Sequence, residues 1–472
     1  MTKNITISHI GSSVMVLIAL VIALAKPFSE GMDSTSHIML GGIIVTLCIW
    51  IFKPFNLPYA IGGMFLAFSA LSLGILPSVA FAGFSQSAVW TLIPALFFGY
   101  ALQNTGLGKR IALVIIKMFK PSYASLVFAW VLIGIVLSML TPSITVRIAI
   151  VIPIVLQCCE LCGIKKGSKG NSLIVLTAFA MAIVPGTGWF SGSLTGPIFM
   201  GMYNAIPELD GIVTFSSWFD VAFIPFMIST VLLAILGFFL LNPKESIPKD
   251  VIDVIRSQSS TKISRREGFA AVILSMVFIM FLTSEMHGMP DVAVCLAAVF
   301  AFFLFGVLES KDFNIGVNWD LVIFIGSAIS LSAIFTETDI SSWLSGIVVP
   351  ALAPIAVSPW LFAYCTLIFM FAWRFFDVAI LIPTTAIMVP ILPAIYEAYQ
   401  IHPLVWITLL AMPLNTFFRP FQNMWAVMSV SIAGDRIWVD KHLTMYGTLY
   451  FITCLIALAV AVPMWVNAGL FG

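Results

Sequence analysis

Residues 54–108 contain no Asp, Glu, Lys or Arg, and the same holds for 171–207, 221–243, 268–284, 340–373 and 442–472. In a bilayer such stretches can cross the hydrocarbon layer as helices of about 20 residues, each satisfying its own backbone. The chain is 61% hydrophobic and only 9% charged, where soluble domains run roughly 45–50% and 25%. With the shorter apolar runs these stretches allow about ten or eleven crossings. The roughly 10-residue alternating segments of a transmembrane barrel do not occur. The expectation is an all-α integral membrane protein with about 11 transmembrane helices and the lipid bilayer as its first partner. A net charge of +1 offers nucleic acid no basic surface. Cys158, Cys159 and Cys162 lack the second Cys/His pair of a zinc site and read as small core residues.

The first apolar run, 12–25, follows Lys3 and ends in Ala23-Leu24-Ala25, the outline of a secretory signal. Because another span begins about a dozen residues later, an uncleaved anchor is the preferred reading. If the first spans are 11–27, 37–52, 57–77 and 88–107, then Lys3, Lys53, Lys109, Arg110, Lys117 and Lys120 share one side. That side is cytoplasmic, which places the N-terminus there. Lys165, Lys166, Lys169, the charged stretch 244–267, Lys311, Arg436 and Lys441 join them only if 121–162 leaves on the side it entered. That segment has two apolar arms around Thr-Pro-Ser-Ile-Thr and fits a re-entrant hairpin. Eighteen of the 22 basic residues then lie inside, Lys26 lies outside, and Arg147, Arg374 and Arg419 fall within apolar stretches.

The order of elements repeats. WTLIPALFFGYALQNTGLGKRI, the hairpin with IVIPIVL, and AIVPGTGWFSGSLTGPIFMG have counterparts in WDLVIFIGSAISLSAIFTETDISSWL, a hairpin at 358–395 with IMVPILP, and AMPLNTFFRPFQNMWAVMSVS. The second hairpin's exit loop EAYQIH carries no Lys or Arg, in contrast to KKGSK, so it enters from outside and the C-terminus is outside. Two inverted repeats are expected, each with a re-entrant helical hairpin and a broken helix, at 172–203 and 402–433. Gly/Pro-rich backbone at membrane depth survives where it is buried or lines a cavity, so the site is expected at the repeat interface.

The acidic inventory excludes most membrane enzymes. His-Glu-x-x-His is missing, and Asp377 is the only acid deep inside a proposed buried element, so neither metal hydrolysis nor a carboxylate proton relay is supported. The chain reads as no enzyme, and no cofactor or structural metal is expected. What the proposed cavity offers is hydroxyls, amides and positive charge: Ser143, Thr145, Thr187, Ser193, Thr195, Thr384 and Thr385, with Asn415, Thr416, Gln422 and Asn423. Interrupted helices also aim their N-termini inward, where partial positive charge favours anions. A small carboxylate fits. Arg147 and Arg419 have no acid nearby in sequence and read as ligands of a substrate carboxylate, with capping of an interrupted helix as the alternative. Arg374 has Asp377 at i+3 and reads as a structural ion pair.

PGTGWFSGSLTGPIFMG resembles, without a gap, the broken-helix motif of divalent-anion/sodium symporters, a Gly-Gly-Thr turn followed by Gly-Thr-Pro-Pro-Asn. Pro185-Gly186-Thr187 stands at the first turn and Gly192-Ser193-Leu194-Thr195-Gly196 at the second. Ser143-Ile144-Thr145 matches that family's Ser-Asn-Thr hairpin tip. The resemblance implies a homodimer in the cell (inner) membrane, with scaffold parts at 1–120 and 268–357. It implies transport parts at 121–243 and 358–472, joined by a cytoplasmic linker at 244–267. Di- or tricarboxylates would be held between hairpin tips and carried in by import or exchange. Gly186 and Gly196 join the substrate site by that resemblance, and Ser143, Thr145, Thr187 and Gly188 become candidate sodium-coupling residues. Two departures stand out. Ile380-Leu381-Ile382 occupies the place of the second Ser-Asn-Thr, and Pro420-Phe421-Gln422-Asn423 that of Thr-Pro-Pro-Asn. Apolar residues in place of an ion site, with arginines nearby, favour anion exchange by a carrier of fixed charge; sodium or proton symport and an anion channel are the alternatives.

Overall fold

The computed structural model describes residues 2–28, 31–120, 122–244, 247, 262–377, 379, 381–434 and 437–472, and among them there is no strand beyond one isolated bridge between Ile401 and Phe471. The first half comprises α1 (Thr2–Ala25), α2 (Ser34–Phe52), α3 (Tyr59–Ser72), α4 (Ser87–Asn104), α5 (Leu107–Lys117), α6 (Tyr123–Leu140), α7 (Ile144–Leu161), α8 (Lys169–Ile183), α9 (Thr195–Asn204) and α10 (Phe215–Leu241). The second comprises α11 (Arg265–Leu282), α12 (Asp291–Leu304), α13 (Trp319–Glu337), α14 (Ile340–Ala356), α15 (Pro359–Trp373), α16 (Ile382–Met388), α17 (Leu392–Tyr399), α18 (Pro403–Leu414), α19 (Met424–Ala433) and α20 (Asp440–Asn467).

Seven helices among the described residues are long and apolar enough to cross a bilayer unaided: α2, α6, α7, α8 with its following turn, α10, α13 and α20. Some of the remaining apolar runs are divided into shorter helices by Gly and Pro. Residues 59–85, for example, become α3 and two four-residue helices, Pro77–Ala80 and Ala82–Ser85. The charged linker lies largely outside the described residues, as do Lys249, Arg256 and Arg436. Its end is helical, since Ser264 and Glu267 form a capping box that starts α11 at Arg265.

Both expected hairpins form. In the first, Thr141 is extended and ends α6, as the residue before a proline must be to avoid its ring. Ser143 then starts α7 by accepting from Val146 N. In the second, residues 374–381 separate α15 from α16, and Val389–Ile391 forms a 3-10 turn around Pro390 before α17. The broken helices are α8–α9, interrupted by the turns Pro185–Gly188 and Phe190–Gly192, and α18–α19, interrupted at 415–423.

The two hairpins open toward opposite faces, and α20 shows it. This helix of 28 residues is about 42 Å long, enough to traverse the bilayer with its headgroups. Near its start His442 Nδ1 lies 2.8 Å from Ser172 Oγ, just past the exit of the first hairpin. Beyond its end Leu470 O accepts from His402 N at 2.9 Å, just past the exit of the second. Elsewhere the first half locks onto α13: Ser36 Oγ donates to Thr338 O, Ala60 N to Asp320 Oδ1 and Gly83 N to Ser330 Oγ, at 2.7, 2.7 and 2.9 Å. In the hairpin region α6 meets α8 so closely at Gly134, against Met181 O, that no side chain has room there.

Candidate functional site

The tip of the first hairpin is built around one buried cation. Arg147 sits one turn into α7, wholly buried, and its Nη1 donates to Gly192 O at 2.6 Å and to Thr141 O at 3.3 Å. Those oxygens belong to the break of α8–α9 and to the end of α6, where carbonyls have no helical partner. A Cβ on Gly186 would stand 2.5 Å from the same Nη1, which is why only glycine fits at that turn. Nε and Nη2 have no hydrogen-bond partner among the described residues.

The second half uses its arginine in the same manner. Arg374 is buried, with Nη1 donating to Asp377 O and Nη2 to Gln422 O, so it caps the hairpin turn and the break of α18–α19. The contact expected between Arg374 and Asp377 takes another form: the guanidinium reaches the Asp377 main chain, and no side-chain hydrogen bond joins the two among the described residues. Helix α15 stops at Trp373, so no common helical face exists for an i, i+3 pair. The Asp377 carboxylate instead accepts from Ala379 N, Thr384 N and Thr384 Oγ1.

Two side-chain hydrogen bonds join the halves at the breaks and the hairpin tip. Asn415 Nδ2 donates to Thr187 Oγ1 at 3.1 Å, joining the two breaks, and Trp425 Nε1 donates to Thr145 Oγ1 at 3.2 Å, joining α19 to the hairpin tip. Asn423 closes the start of α19 by accepting from Trp425 N and Ala426 N.

Beside these contacts lies a cavity of about 200 Å³. Its polar wall is Ser143 and Thr145 at the start of α7 and Thr195 at the start of α9, where first-turn N–H groups have no acceptor within their helices. Most of the remaining wall is apolar, including Ile198, Ile325, Ile382, Leu414 and Met424. Tyr100 and Asn318 line it beside Ile315, which is exposed. Tyr100 donates to the buried Asp312 at 2.9 Å.

Of the expected site residues, Ser143, Thr145 and Thr195 line this cavity. Arg147 is not among its lining residues; it stands behind the tip and holds two breaks in register. Gly186, Gly188, Thr187, Ser193, Gly196, Asn415, Thr416, Gln422 and Asn423 are buried in the packing around it. Thr385 is turned back onto Leu381 O at 2.7 Å, and Thr384 borders an apolar crevice with α14. Arg419 is exposed, which overturns its reading as a buried arginine. In the short break the buried positions go to Gln422 and Asn423, whose amides satisfy the backbone, and Arg419 and Phe421 turn outward. Of the four candidate coupling-ion residues, Ser143 and Thr145 reach the cavity, while the Thr187 hydroxyl is engaged by Asn415 and Gly188 is pressed against Phe226. Tyr100, Asn318, Ile382 and Trp425 also line the cavity and are not among the site residues expected from the sequence.

The chain matches the family model described as the sodium:sulfate symporter transmembrane region over residues 7–468. It is 23% identical over 354 residues to dicarboxylate transporter 1 of the chloroplast of Spinacia oleracea, covering 73% of this chain and 61% of that protein. It is 26% identical over 328 residues to the citrate/succinate antiporter of Escherichia coli K12, covering 66% of this chain and 65% of that one. The chain thus spans less than two thirds of the length of either relative. Its fold is similar to the crystal structure of the YdaH transporter of Alcanivorax borkumensis, with a TM-score of 0.58 over 93% of this chain and 100% of that one at 14% identity.

Proposed function

The chain belongs to the sodium:sulfate symporter transmembrane family, and from that premise we propose that it is a secondary carrier that moves small organic carboxylates across the membrane by alternating access. The observation that supports this reading best is the cavity wall where Ser143 and Thr145, at the start of α7, meet Thr195, at the start of α9. Hydroxyl donors and the positive ends of two helix dipoles suit a carboxylate, and they lie at the meeting of two breaks. The relatives named for dicarboxylate and for citrate and succinate support the same class. On this reading α6–α10 and α15–α20 form the moving part, α1–α5 and α11–α14 the frame, and the working unit is a homodimer with its N-terminus in the cytoplasm. The test is uptake of labelled carboxylates into proteoliposomes. Saturable uptake supports the reading, and non-saturating flux with osmotic swelling would indicate a channel.

Coupling follows from Arg147. Its guanidinium occupies carbonyl oxygens at the break that would otherwise be available to a cation, and so supplies fixed positive charge next to the anion site. A carrier with that charge built in crosses readily when an anion neutralises it. Anion exchange with little sodium dependence is the mode this favours.

A further inference from the structure

The hydroxyl groups that line the cavity all come from one half of the repeat. Its anion-binding groups, Ser143, Thr145 and Thr195 with the N-termini of α7 and α9, all come from the first half. The second half's hairpin and broken helix contribute Ile382, Leu414, Met424 and Trp425. Beyond the Trp425 indole they bring no polar side chain to it. Trp425 Nε1 is committed to Thr145, and Asn423 Oδ1 caps the N–H groups of Trp425 and Ala426 at the start of α19, as Ser143 Oγ caps Val146 N and Ser193 Oγ caps Thr195 N in the first half. Helix α16 opens Ile382-Pro383, and proline has no N–H to offer. Charge is one-sided as well. Arg147 stands behind the first tip with only carbonyl oxygens as partners, whereas Arg374 behind the second tip is accompanied by the buried Asp377 side chain.

We propose that this cavity takes a short monocarboxylate with a branched or aromatic body, held by its carboxylate at Ser143 and Thr145, in preference to a di- or tricarboxylate. This rests on the carrier reading and narrows its substrate class. A second ionised carboxylate would have to sit against Ile382, Leu414 and Ile325 without a partner, and an unpaired charge in such surroundings is strongly disfavoured. An apolar body in the same place gains about 4-fold in affinity for each methylene it buries. The cavity volume of about 200 Å³ is below the roughly 300–1,000 Å³ of drug-sized pockets, so the body is short. The neutral amide of Asn318 at the mouth can serve a keto or hydroxyl group without demanding a second charge.

The test is calorimetric binding of four probes to the purified full chain: 4-methyl-2-oxopentanoate, phenylacetate, succinate and citrate. The first two should bind at least about 10-fold more tightly than the last two. Ile382→Ser, which places a hydroxyl on the apolar wall, should weaken 4-methyl-2-oxopentanoate by about 4-fold or more and narrow the gap to succinate. The wild-type ranking stands as a test even if that variant does not fold. Tighter binding of succinate or citrate by the wild type would overturn the proposal and leave the carrier reading intact. If none of the four is bound or transported, the carrier reading falls and this inference with it.

Discussion

Asn415 Nδ2 lies 3.1 Å from Thr187 Oγ1, a hydrogen bond between residues 228 apart that ties the break of one broken helix to the break of the other. Both residues are fully buried, and Asn415 Oδ1 has no partner among the described residues. Such a join holds two weakened helices together where neither backbone satisfies itself.

Removing either partner should therefore destabilise the empty protein. Asn415→Ala and Thr187→Val are each expected to cost about 1–3 kcal/mol, the range for leaving a buried polar group unpaired. In the double variant the costs should be clearly less than additive, because one interaction is being removed twice. Thermal unfolding in detergent measures all three. Full additivity would show that the bond contributes nothing.

Arg147→Lys keeps the charge and loses the planar fork that reaches Thr141 O and Gly192 O. Because Arg147 is not among the residues lining the cavity, the expected result is a lower melting temperature of the empty protein with carboxylate affinity nearly unchanged in what folds. A loss of affinity by about tens-fold without a change in melting temperature would instead make it a direct ligand, at the value of a charged hydrogen bond. Arg374→Lys should behave like Arg147→Lys, since its donors are likewise committed to backbone carbonyls.

How much of this was legible in the sequence divides by the range of the interaction. Runs without charge, Thr141-Pro142-Ser143 and Pro185-Gly186 carry their meaning locally, so the hairpins and breaks could be read residue by residue. Which way a side chain turns within a break could not. Arg419 and Gln422 stand three apart in the same short segment, yet one is exposed and the other buried. The Arg374–Asp377 contact differs from the expected one because i+3 spacing brings side chains together on a continuous helix, and α15 ends at Trp373, before both. The link from Tyr100 to Asp312 spans 212 residues, and no local pattern announces it. An uncharged polar residue near the end of an apolar span is the only signal that Tyr100 and Asn318 offered.

The opposed hairpins can be tested by single cysteines at Lys165 and Gln400, both exposed. Lys165→Cys should react with an impermeant maleimide from the cytoplasmic face and Gln400→Cys from the other. Six of the seven native cysteines are buried and the seventh, Cys365, is half-buried, so the background is low. Labelling of both positions from one face would contradict two inverted halves.

Transport should respond little to replacing sodium by choline, and should accelerate when vesicles are preloaded with a carboxylate. The fixed charge of Arg147 is the reason for both expectations. Steep sodium dependence, with two or more ions carried per substrate, would show that the cation is mobile and the exchange reading incorrect.

Ile382→Cys places a thiol in the wall of the cavity, beside the groups that the carrier reading assigns to the anion. The rate at which a small methanethiosulfonate modifies that thiol, measured as 4-methyl-2-oxopentanoate or succinate is titrated in, reports whether substrate and cavity are the same place. Protection should rise with concentration and reach half its maximum at the concentration that half-saturates transport of the same compound. A modification rate unchanged at concentrations that saturate transport would place the substrate elsewhere in the protein.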